Sequence, residues 1–167
     1  MRQRLLTIIM AAALLIMGIS AAAAQKADFS GTWTMDRGRS YGLPGNMNQI
    51  LTITQTDDKI EVETKLIQPG NERTVKDTYN LDGKEYEFTP QAPPNQTPPK
   101  GKRTVTWLPA DKGIMVTDVT TAETPKGPAT TQVVRKWTIS STGELVVDMF
   151  IDSPNGSFEA KRIYTKN

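Results

Sequence analysis

From Phe29 onward, apolar and polar residues alternate in short runs, and no stretch holds the period of an amphipathic helix. Ile60, Val62, Thr64 and Leu66 fall on one face, opposite Glu61, Glu63 and Lys65. Leu145, Val147, Met149 and Ile151 oppose Asp148, and Val133, Arg135, Trp137 and Ile139 oppose Lys136 and Thr138. This period of two predicts strands that each show one face to a core and one to water. They fall near Phe29–Met35, Gln49–Thr56, Lys59–Leu66, Arg73–Asn80, Lys84–Thr89, Lys102–Leu108, Gly113–Thr120, Thr130–Ser140, Glu144–Ile151 and Ser157–Thr165. Asp57-Asp58, Asp82-Gly83, Asp111-Lys112-Gly113, Thr142-Gly143 and Pro154-Asn155-Gly156 supply tight-turn chemistry between them. Short turns predict an up-and-down antiparallel meander. A sheet of eight to ten such strands rids itself of exposed edges by closing, so the expected fold is a single all-β, up-and-down barrel. Longer connections are expected at Asp36–Asn48, at Pro90–Gly101 with its proline pairs, and at Ala122–Pro128.

Some positions break the alternation. Asp77, Asp118, Arg135 and Arg162 are charged, yet they stand on faces that otherwise read as apolar. A charge on an inward face is costly unless paired or solvated. One reading is structural: an arginine at a barrel end stacks on an aromatic ring and donates to loop carbonyls. The other is functional: arginines inside a cavity hold an anionic head group such as a carboxylate. The same interior faces carry Tyr79, Tyr86, Trp107, Trp137 and Met149. With Asp118 and Arg135 these form the candidate lumen, either as packed core or as the wall of a ligand site.

The first residues have a different pattern. Arg2 and Arg4 precede an apolar run from Leu5 to Ile19, followed by Ala21–Ala24. This is the tripartite form of a secretory signal, with cleavage expected after Ala24. The run is shorter than the ~20 residues a membrane-spanning helix requires. Residues 1–24 are therefore expected to be a signal peptide and residues 25–167 one domain, periplasmic or secreted, without stable membrane insertion. Loss of Arg2 and Arg4 from the 20 basic residues brings them level with the 18 acidic ones. A neutral mature chain offers no global field for nucleic acid.

Composition narrows the chemistry further. The chain has neither cysteine nor histidine, so disulfides and lipid attachment through cysteine are excluded. The commonest general base and the commonest metal ligands are missing too. No phosphate loop, metal cluster or nucleophile motif appears, and neither a cofactor, a metal nor a catalytic set is expected.

Phe29-Ser30-Gly31-Thr32-Trp33-Thr34-Met35-Asp36, followed by Arg39-Ser40, resembles the opening of exported bacterial lipocalin-like (calycin-type) proteins. Tyr79-Asn80-Leu81-Asp82-Gly83-Lys84-Glu85 is similar to their mid-chain turn, and Trp137-Thr138-Ile139-Ser140 with Gly143 and Leu145 to a late hairpin. A second lipocalin signature, a Thr-Asp-Tyr turn, is not present in that form. The resemblance implies that Trp33 plugs a closed barrel end and packs under a late-strand arginine, with Arg162 or Arg135 as the candidate. Fold likeness says little about function, and three classes stay open. The leading one is an exported binding module for an apolar or amphipathic small molecule. The second is a cell-envelope protein with a filled core and a protein partner. The third is a barrel enzyme using Asp77 or Asp118 with Arg135.

Overall fold

A computed structural model describes residues 26–42, 47–90, 98–125 and 127–167. The expected signal peptide and most of the proline-rich connection lie outside the described residues. Ten strands appear among those described: β1 (Gly31–Met35), β2 (Asn48–Gln55), β3 (Lys59–Gln68), β4 (Asn71–Asn80), β5 (Glu85–Phe88), β6 (Lys100–Trp107), β7 (Gly113–Thr124), β8 (Gly127–Ile139), β9 (Leu145–Ser153) and β10 (Gly156–Lys166). All adjacent pairs are antiparallel, and they form one curled sheet in the order β4-β3-β2-β1-β10-β9-β8-β7-β6-β5. The first and last strands pair with each other, Trp33 opposite Lys166 and Met35 opposite Tyr164. This up-and-down, all-β architecture is the one the alternation predicts.

One expected connection is a correction. Ala122–Pro128 is not a long loop: β7 and β8 continue their ladder to Thr124 opposite Gly127. The Thr-rich run suits a pleated ladder, and the Thr124 hydroxyl donates to the Gly127 carbonyl (2.7 Å) across the turn. At the β9–β10 turn, Gly156 has φ +115°, open to glycine and strained for other residues.

Period two sets the interior. Phe29, Trp33, Ile53, Ile60, Leu81, Val105, Ile114, Val116 and Leu145 are buried in one cluster. One end of the barrel is plugged by the segment before β1. Ala27 donates to the Asp111 carbonyl (2.8 Å). The Gln55 side chain accepts from the Phe29 amide and donates to the Ala27 carbonyl, both at 2.9 Å. Trp33 lies in this plug and donates its indole N–H to the Phe29 carbonyl (2.8 Å). The cation over its ring is Lys166, with Nζ 5.2 Å from the centroid, and not the expected Arg162 or Arg135. The β1–β10 register explains this, because it sets Lys166 directly opposite Trp33.

The ladder does not run all the way round. Among the described residues, β4 pairs with β3 alone and β5 with β6 alone. A split therefore runs down the wall between β4 and β5, bridged by side chains.

Candidate functional site

Away from the plugged end, the interior holds a cavity of about 230 Å³. Its walls come from β2–β4 on one side (Leu51, Val62, Leu66, Val75, Tyr79) and from β8–β10 on the other (Trp137, Val147, Met149, Tyr164). Gln49, Thr64, Asp77, Arg135 and Arg162 add polar groups to an otherwise apolar lining. An apolar concavity with a few convergent polar groups is the usual form of a small-molecule site.

Of the lumen candidates from sequence, Tyr79, Arg135, Trp137 and Met149 line this cavity. The other three do not. Tyr86 is 40% exposed and donates its hydroxyl to Asp82 (2.8 Å). Its strand is a four-residue edge, so the face that alternation assigns to the interior opens onto the split. Trp107 packs against the core near the plugged end, under Lys26, because it is the last residue of β6, paired with Ile114 where the chain turns into β7. Asp118 is buried behind the cavity wall.

Asp118 is the hub of an ion-pair network. Arg103 approaches it side-on, with Nε donating to Oδ1 (2.7 Å) and Nη2 to Oδ2 (2.9 Å). Arg135 also donates to Oδ2 through Nη2. The third nitrogen of Arg103 reaches across the split, donating to Asp77 Oδ1 (2.9 Å) and the Thr78 carbonyl (3.4 Å). Its guanidinium lies between the Tyr79 and Phe88 rings, 4.4 and 4.2 Å from their centroids. Burial opposes the charge on Arg103, and the carboxylates of Asp118 and Asp77 override it, so its pKa is raised. Phe88 can reach this position because Gly101, directly opposite, has no side chain. A Cβ there would sit 2.6 Å from the ring.

Sequence reasoning missed Arg103. The signal was present: stepping back by two from Trp107 and Val105 puts Arg103 on the same inward face, directly opposite Asp118.

Arg162, the arginine that the resemblance places at a structural barrel end, also lines the cavity. It donates to the carbonyls of Tyr41 (2.6 Å), Lys161 (3.0 Å) and Gly42 (3.4 Å). Among the described residues it has no carboxylate partner, and burial lowers its pKa. Beside it, Tyr164 is pushed up by burial and donates its hydroxyl to Gln49 Oε1 (2.6 Å). Two further donors, Arg135 Nε and Trp137 Nε1, are buried without an acceptor among the described residues. The five interior groups Arg103, Arg135, Arg162, Asp77 and Asp118 thus carry one more positive charge than negative. Among the described residues no group of three or more acidic residues is placed to hold a metal. No described helix is long and apolar enough to cross a membrane.

No protein-family model and no curated protein matches this chain. Among solved structures, it is similar to a crystal structure of zebrafish ileal bile acid-binding protein complexed with cholic acid. That match has a TM-score of 0.53 and 17% sequence identity, and covers 83% of this chain and 98% of the other. At this identity the likeness shows a shared calycin-type barrel fold.

Proposed function

We propose that the mature chain is an exported carrier or sensor of a small amphipathic molecule, held in the cavity between β2–β4 and β8–β10 with an anionic head group on the Arg162 side. The observation that carries this reading is the unbalanced charge of that wall. Among the described residues, Arg162 is buried among carbonyls with no acid beside it, and Arg135 Nε and Trp137 Nε1 are donors without acceptors. Buried donors left unmade cost about 1–3 kcal/mol each, and a ligand carboxylate supplies acceptors and charge together. The apolar lining from Leu51, Val62, Val75, Val147 and Met149 suits a short hydrocarbon part. The volume lies below the ~300–1,000 Å³ of drug-sized sites, so the occupant is small or projects from the mouth. The solved bile acid-binding protein shares the fold and is named for an amphipathic ligand, which agrees with this reading. Export rests on Arg2, Arg4 and the apolar run that follows.

The test is native mass spectrometry of the protein isolated from the compartment to which it is exported. The expected result is an adduct of one small acid per chain, lost on denaturation and absent from Arg162→Met. A bare polypeptide mass in the native protein would count against the reading.

A further inference from the structure

Every neighbouring pair of strands from β4 round to β5 is held by a backbone ladder, except where β4 faces β5. At that split the contact is made by side chains, with Arg103 of β6 reaching to Asp77 and Thr78 of β4. Two spaces meet at the same place. The interior cavity is lined by Val75, Asp77 and Tyr79 of β4. A second hollow of about 290 Å³ lies along the split and is lined by Asp77, Thr78, Tyr86, Phe88 and Arg103, among others. Asp77 borders both.

We propose that β4 is a hinged side wall of the cavity, that the Arg103–Asp77 pair is its latch, and that ligand enters through the β4–β5 split. The proposal rests on the binding reading above. The two ion pairs of Arg103 differ in the way a latch requires. With Asp118 both partners are buried, their side chains 7% and 8% exposed. With Asp77 the acid is 31% exposed. A pair open to water is weak and reversible, whereas stripping a buried charge of its partner is strongly unfavourable. The split can therefore open by releasing Asp77 to solvent while Arg103 keeps both of its hydrogen bonds to Asp118. Opening moves β4, which carries three residues of the cavity wall and has a ladder on one side only. Phe88 and Tyr79, on either side of the guanidinium, set how firmly the latch is seated. Edges with few buried contacts are where local opening is cheapest.

The test combines stopped-flow binding of 1-anilinonaphthalene-8-sulfonate, an amphipathic anion, with amide hydrogen exchange. The variants are Arg103→Lys, which shortens the latch, and Phe88→Leu, which removes one ring from the guanidinium and leaves its carboxylate partners in place. Ile53→Val, a core change away from the split, is the control. Association and dissociation rates are both expected to rise about threefold or more in the latch variants, with a smaller change in their ratio. Exchange is expected to quicken at residues 76–80 and 85–88 while β8 and β9 keep their protection. Unchanged rates in a folded variant whose split exchanges faster would overturn the entry route. Exchange that quickens evenly around the barrel would overturn the hinge. If the dye does not bind the unaltered protein, the binding reading and the entry route both fail, and exchange alone decides whether β4 is hinged.

Discussion

Trp33 and Arg103 show how much a single side chain can carry here. Trp33 is 1% exposed and fills the plugged end with its indole N–H satisfied. Trp33→Ala leaves a large void and an unpaired carbonyl, and should cost about 3–5 kcal/mol in urea unfolding. A loss below about 1 kcal/mol would show that the ring is not a plug. Arg103 holds Asp118 in the interior and crosses to β4. Arg103→Met should also cost about 3–5 kcal/mol, because it strands a buried carboxylate on Arg135 alone. If unfolding shows a small loss instead, Arg135 by itself satisfies Asp118 and the network is redundant.

At the scale of elements, the connection after β1 is tied down electrostatically. Where β1 ends, Tyr41 takes up the edge of β10 in a backbone bridge to Lys161. Arg39 anchors the same connection by bonding Asp36 and Glu144 (2.7 and 2.5 Å). Hydrogen bonds from Arg39 hold both carboxyls below their ordinary values. A depressed folded pKa adds stability that is present above the unfolded values of 3.8 and 4.5 and is lost as pH falls through the folded ones. Arg39→Ala should therefore lower the urea midpoint slightly at pH 6, and the difference should close at low pH. A difference independent of pH would argue against this origin.

The strands were legible because alternation and turn chemistry agree along most of the chain. The Ala122–Pro128 turn was not, because a threonine-rich run interrupted by Pro125 and Pro128 reads equally as loop. Tyr86 was misplaced for another reason: period two gives a face, and only the sheet order tells whether that face is covered. The cation over Trp33 depended on the β1–β10 register, which joins the two ends of the described chain and leaves no local trace. Among the interior charges, Asp77, Asp118, Arg135 and Arg162 stood out against apolar neighbours. Arg103 lies between Lys102 and Thr104 in a polar stretch that hides its face.

For the whole molecule, the ladder of ten strands, one plugged end and one split side together define an interior that is part core and part cavity. Export belongs to this scale. Intact-mass measurement of the protein from its native host should show a chain beginning near Gln25, and retention of Met1 would contradict it. The binding claim is tested most directly by isothermal titration of the mature protein with octanoate and with 1-octanol. They share a chain length and differ in the anionic head. The expected result is saturable binding of octanoate with a stoichiometry of about one, much weaker binding of the alcohol, and loss of that preference in Arg162→Met. Equal binding of acid and alcohol, or no saturable heat from either, would contradict a cavity built around an anionic head group.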